Sequence, residues 1–333
     1  MDTERLINVN GLVVVVAPLG AAITEVHVPD RHGRMADVVH GFDRAEDYAA
    51  TRAYVGAAIG RVANRIAGAR LDLDGTTYPL VMNDPATGSH LHGGATGWDK
   101  VRWTLARRDT DAGPAAELTH ASPDGEEGYP GEVTAAIQYT LTHDDQLRID
   151  MRATTDRTTV VSMAHHGYWN LAGTGSGSID DHELTIFASR YTPGRPPTTD
   201  RAPPVAGTPF DFTSPRPIGA SQHGAGDDPP GYDHAFLIDG EPHQLRPFAR
   251  AVDPGSGRVM TLAADQPSMQ LYTAGALDGS TGGKGARHTR HSAFCLESQA
   301  VPNAIHIPAW RDDVILRPGQ IYRHRMVFQF SAK

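Results

Sequence analysis

The chain has 333 residues, of which 39% are hydrophobic and 21% charged, with a net charge of −9 and one cysteine, Cys295. This balance suits a soluble globular protein, and an acidic chain without a basic cluster excludes nucleic acid as an expected partner. A lone cysteine excludes internal disulfides and cysteine-only metal sites, and a charged N-terminus before a short apolar run predicts neither signal peptide nor membrane span, so the expected location is cytoplasmic.

Thirty-five glycines and 24 prolines, with few sustained helical periods, predict short strands joined by turns. Residues 6–28 carry two strands. Leu12 to Ala17 is a β-branched run, and Ile23 to Val28 alternates apolar with polar. Asp47 to Ala53 suits a short helical turn around Tyr48. In Gly56 to Ile66 the glycines permit close backbone approach, while Asn64 and Arg65 supply an amide and a forked guanidinium. Leu71 to Leu80 alternates around Asp74-Gly75, a hairpin signal.

His90 and His92 share a face if Ser89 to Gly94 is extended. Such a pair could ligate a metal, but no carboxylate follows before Trp98, so metal is the weaker reading. Residues 101–160 read as four strands, interrupted by a turn-forming loop from Ser122 to Gly131 whose acidic pair, Glu126 and Glu127, is expected to be solvated.

Val160 to Leu171 is a β-branched run leading into His165, His166, Gly167, Tyr168, Trp169 and Asn170. Alternation along a strand sends the two histidines to opposite faces, so at most one meets a given pocket. A regular strand puts Tyr168 and Asn170 on the side of His166. Further on, Tyr191 to Pro217 is a Pro-rich loop, and Gly231 to Ile238 sets Asp233 and His234 at the mouth of an apolar strand. Gly275 to Gly285 is Gly-rich, is expected to be flexible, and lacks the ending of a phosphate loop. Ala293 to Gln299 is a buried-looking strand carrying Glu297, a costly placement for a carboxylate without a partner or a function. No repeat or linker divides the chain, and one all-β domain over 1–333, folded as two large packed sheets, is the expected architecture.

These stretches together resemble the aldose 1-epimerases, or galactose mutarotases. The residues that carry the likeness are Gly60 to Ile66, Asn83 to Gly94, Gly97 to Lys100 with Trp103, Gly125 to Gly131, His166 to Gly173, Gly231 to His234, Gln270 to Thr273 and Phe294 to Gln299, in family order over nearly the whole chain. The resemblance implies a large antiparallel β-sandwich with an open sugar cleft and no cofactor or metal. It implies Glu297 as the general base on the anomeric hydroxyl and His166 as the general acid on the ring oxygen. It also implies that His92, Asn64, Arg65, Asp233 and Gln270 hold the sugar, a hexose such as galactose or glucose, in a monomer or homodimer without nucleic-acid or membrane partners.

Three features depart from the family pattern: His165 where asparagine is common, Pro302-Asn303-Ala304-Ile305-His306 in place of Pro-Asp-Ala-x-Asn, and the Pro-rich 193–217. They leave the acid–base pair intact and bear on sugar preference, with His165 the first position to change in asking about it. The alternatives are a specialised epimerase or isomerase of a modified sugar or other hemiacetal, and a non-catalytic sugar-binding protein. A metal-dependent enzyme, resting on His90/His92 and His288/His291, is a further reading.

Overall fold

The computed structural model describes residues 2–226 and 230–333. It is 45% strand and 6% helix, as the turn-rich composition predicts. The largest sheet has nine strands in the order Thr104–Thr110, Gly113–Ser122, Val133–Leu141, Gln146–Thr155, Tyr322–Ala332, Arg258–Ala264, Arg246–Val252, Glu183–Ile186 and Arg216–Pro217. Every pairing in it is antiparallel. Two four-stranded sheets accompany it. One runs from Glu4–Ile7 through Val13–Ala17 and Ala22–Pro29 to Met35–Asp37; the other has the order Arg190–Thr192, Asp233–Leu237, Ser268–Tyr272, Cys295–Gln299.

Alternation explains how the sheets meet. Along Gln146–Thr155, Leu147, Ile149, Met151 and Ala153 are buried, while the residues between them face outward. Val14 and Val26 of the N-terminal sheet, Ile149 of the large sheet, and Leu271 and Leu296 of the third belong to one continuous apolar cluster. Fully burying one such side chain stabilises by about 1.5–3 kcal/mol. This packing is the expected sandwich.

Local readings held in most places. Arg70–Leu73 and Thr76–Pro79 form the Asp74-Gly75 hairpin, with both turn residues at positive φ, and Ala45–Ala50 is a helix that buries Tyr48. Two expectations fail. The Gly275 to Gly285 stretch enters a hairpin, Asp278–Gly283 with Ala286–Thr289, whose Lys284 reaches Asp37 at 2.5 Å and the Val39 carbonyl at 3.1 Å. The acidic pair of the 122–131 loop is also engaged. Glu126 accepts from the Ser122 hydroxyl, and Glu127 accepts from the amides of Ala95 and Thr96 at 2.9 Å each.

That loop is also held from below. Arg61, 1% exposed, donates to the Ser122 hydroxyl and to the carbonyls of Ser122, Pro123, Pro130 and Gly131 at 2.7–3.0 Å. Beside it the backbone is crowded. A Cβ on Gly60 would lie 1.9 Å from the Trp98 ring, and one on Gly93 would lie 1.8 Å from the Gly60 carbonyl. Only glycine fits at either place, and at Gly60 this is the close approach that the Gly56 to Ile66 reading anticipated.

Candidate active site

The third sheet supplies one wall of a cleft of about 350 Å³. Its register places Gln270 directly opposite Glu297 on one side and Ala235 on the other. Asp233 lies two residues before Ala235 and so shares its face. Leu296 and Ser298 point the other way, Leu296 into the main core and Ser298 to a hydrogen bond with His324 Nε2 at 3.0 Å. Pleating alone therefore turns Glu297 to the cleft and its two neighbours away.

His166 comes from a different element. Regular pairing covers only Ala164–His165 against Ala58–Ile59, and the chain beyond is irregular. The amide of His166 donates to the Ala57 carbonyl, and its own carbonyl accepts from Gly56, which fixes the residue at the cleft wall. Its ring stacks on Tyr168 at 5.0 Å and on Tyr54 at 5.9 Å, and meets His92 edge-on at 5.3 Å. His166 Nε2 lies 3.6 Å from Glu297 Oε1.

The expectation that Tyr168 and Asn170 accompany His166 is half correct. Tyr168 lines the cleft, but Asn170 is buried behind it and donates to the carbonyls of Gly177 and Ser292. The strand ends before Asn170, so its alternation does not extend there. His165 is corrected too. It faces the core beside Tyr139, with neither ring nitrogen in hydrogen-bond geometry, and does not line the cleft.

Asn64 and His92 hold one another. The Asn64 amide donates to His92 Nδ1 at 3.1 Å and the His92 amide to the Asn64 carbonyl at 2.9 Å. Both adopt left-handed backbone, φ 62° and 50°, as does Tyr54 at 55°. Such conformations are costly for non-glycine residues and concentrate at functional sites. The turn at His92 also separates it from His90, which instead bonds the Val81 carbonyl through Nδ1 at 2.7 Å.

Arg65 Nε donates to Asp84 at 2.7 Å, and its Nη1 lies 3.6 Å from Asp233 Oδ2. Asp233 also accepts from Gln270 Nε2 at 2.6 Å and from Arg195 Nη1 at 3.2 Å. Of the seven residues expected at the site, Glu297, His166, His92, Asn64, Arg65 and Asp233 line the cleft. Gln270 does not; it stands behind Asp233 and orients it. Sequence reasoning missed Tyr54, Arg52, Arg195 and Tyr272 as wall residues. Tyr54 carried a signal, standing two residues before Gly56 where the chain closes on the cleft, whereas Arg195 lies in the Pro-rich stretch and had none.

Burial sets the protonation of the site. It pushes the Glu297 carboxyl well above the usual carboxylate range, reinforced by Asp233 and opposed by Arg65. It pulls the His166 imidazole down to about 4. Burial, with His166 and Arg65 adding to it, also keeps His92 neutral. Burial thus favours the uncharged form of both groups, a carboxyl on Glu297 and a neutral imidazole on His166.

The ligating atoms of His92, His166 and Glu297 lie within 4.8 Å of one another, a donor set that also suits a transition-metal ion. The histidine pairs that prompted a metal reading do not converge. His90 and His92 part as described, while His288 stacks on His40 and His291 bonds the Pro230 carbonyl.

A β-sandwich cleft that holds a buried carboxyl 3.6 Å from an imidazole, among further polar side chains, has the groups that acid–base chemistry on a small polar molecule needs. The family model described as aldose 1-epimerase matches residues 2–329. Galactose mutarotase from Bos taurus is 43% identical over 317 residues, covering 94% of this chain and 89% of its own. Aldose 1-epimerase from Escherichia coli (strain K12) is 35% identical over 332 residues, covering 97% and 93%. The solved aldose epimerase homologue from C. elegans superposes with a TM-score of 0.88 at 27% identity, covering 99% of each chain. The chain belongs to the aldose 1-epimerase family. It is an isomerase of the racemase and epimerase class with mutarotase function on carbohydrates.

Proposed function

We propose that the protein interconverts the α and β anomers of a hexose such as galactose or glucose, with Glu297 and His166 as its proton-transfer pair. The observation that carries the assignment is their 3.6 Å approach at the base of the cleft. Ring opening needs one proton taken from the anomeric hydroxyl and one given to the ring oxygen. Passing the shared proton from Glu297 to His166 makes a carboxylate and an imidazolium. The carboxylate then accepts the O1 proton as the C1–O1 double bond forms. The electrons of the C1–O5 bond go to O5, which takes the proton from His166. After rotation about C1–C2, the reverse steps close the ring from the other face and restore both groups.

Asn64, Arg65, His92 and Asp233 offer the donors and acceptors that hydroxyls need, and Tyr54 and Tyr168 give the sugar's apolar face a wall. Gln270 contributes through Asp233 rather than by contact. We take the chain as one domain, because a single core joins all three larger sheets. No helix among the described residues is long and apolar enough to cross a membrane.

Polarimetry of freshly dissolved α-galactose and α-glucose tests the reading. The wild type accelerates the approach to equilibrium, and His166→Asn, folded by circular dichroism, loses about 10²–10⁴-fold of that rate. A His166→Asn protein of undiminished activity removes His166 from the mechanism.

A further inference from the structure

Two elements meet at Asp233 Oδ2. Arg65, on the strand Arg65–Ala67, approaches it with Nη1 at 3.6 Å, and Arg195, on the Pro-rich loop, donates to it from Nη1 at 3.2 Å. All three side chains line the cleft. Where Asp233 presents its carboxylate to a sugar therefore depends on how that strand and that loop sit relative to one another.

A residue outside the cleft wall joins the same two elements. Asn303, 4% exposed, donates from its backbone amide to the Arg65 carbonyl at 2.9 Å, and its Oδ1 accepts from the Ala67 amide at 3.0 Å. Its Nδ2 donates to the Pro197 carbonyl at 2.9 Å, two residues beyond Arg195. The circuit closes: strand, Asn303, loop, Arg195, Asp233 and back to Arg65. Residue type matters at these links. Pro196 and Pro197 have no N–H, so the main chain at this point can be held only through its carbonyls, and a carbonyl needs a donor. An ionised aspartate, the residue common at this place in the family, has none. Asparagine carries both a donor and an acceptor, and it tolerates the left-handed backbone found here, φ 61°. Two departures from the family pattern, the Pro-rich loop and Asn303, thus form one latch.

We propose that Asn303 is a positioning residue for sugar binding, whose side-chain amide latches the Pro-rich loop to the Arg65 strand and so sets the geometry of Arg65, Asp233 and Arg195 in the cleft. The proton-transfer pair is carried by other segments, Glu297 by the strand Cys295–Gln299 and His166 by the turn against Ala57. The latch therefore acts on how tightly the sugar is held rather than on proton transfer. This rests on the mutarotase reading of the same cleft.

Asn303→Asp isolates the latch. Its carboxylate keeps the acceptor for Ala67, loses the donor for Pro197, and can pair with His306, whose Nδ1 lies 2.9 Å from Oδ1. Asn303→Gly, at a φ that glycine adopts freely, removes both side-chain bonds and keeps the backbone bond to Arg65. Anomer exchange is measured by NMR with galactose or glucose, whichever the wild type turns over faster. In both variants KM is expected to rise about 2–10-fold, the scale of one hydrogen bond, with kcat within about twofold of wild type. Hydrogen exchange of the amides in residues 193–201, followed by mass spectrometry, is expected to be faster than in the wild type. An unchanged KM, or a kcat that falls as far as KM rises, overturns the inference and leaves the mutarotase reading standing, and so does unaltered exchange in 193–201. A wild type that accelerates neither sugar overturns both.

Discussion

A carboxyl that is 2% exposed and an imidazole 3.6 Å away do not titrate independently. With His166 held down to about 4 and Glu297 pushed up, we expect the working state of the pair to hold one proton. Acid adds a second proton and removes the acceptor, while alkali removes the shared proton and leaves no donor. The profile of kcat/KM against pH for a neutral sugar is therefore expected to show an acid limb near pH 4 and an alkaline limb above the ordinary carboxylate range. A rate that falls between pH 7 and 6, where an ordinary histidine titrates, contradicts the shared-proton account. At the same scale, His165 loses its standing as a substrate-choice residue. Its ring lies in the core, so its departure from the family's asparagine concerns packing.

Elements place these side chains through devices that differ in how far they show in sequence. Alternation along Cys295–Gln299 was legible, because a carboxylate within an apolar run stands out. The turn at His92 was not, since its left-handed backbone is imposed by the reciprocal bonds with Asn64 across 28 residues. Arg61 is the least legible. Nothing in its local sequence marks it, yet it ties together the Ser122 to Gly131 loop by five hydrogen bonds from a buried position. Arg61→Met leaves those acceptors buried and unpaired, at about 1–3 kcal/mol for each that water cannot reach. We expect a loss of several degrees in melting temperature or failure to fold, with Arg61→Lys rescuing little because an ammonium lacks the fork. A melting temperature unchanged in Arg61→Met by calorimetry shows that the clamp contributes nothing.

For the whole molecule, fold class and the six cleft-lining residues of the expected set were legible because strand period, turn chemistry and family motifs agree along most of the chain. What escaped depends on distant segments meeting: the Pro-rich loop bringing Arg195 to Asp233, Gln270 falling behind Asp233, and Tyr54 closing on both histidines. No local pattern encodes such meetings. In the proposed mechanism the chemistry of that cleft centres on the Glu297 carboxyl. The most direct test is therefore galactose anomer exchange by Glu297→Gln at pH 7, which replaces that carboxyl with an amide of nearly the same shape. The account predicts a folded protein whose rate is lower by at least about 10²-fold. A folded Glu297→Gln protein that exchanges anomers at the wild-type rate contradicts it.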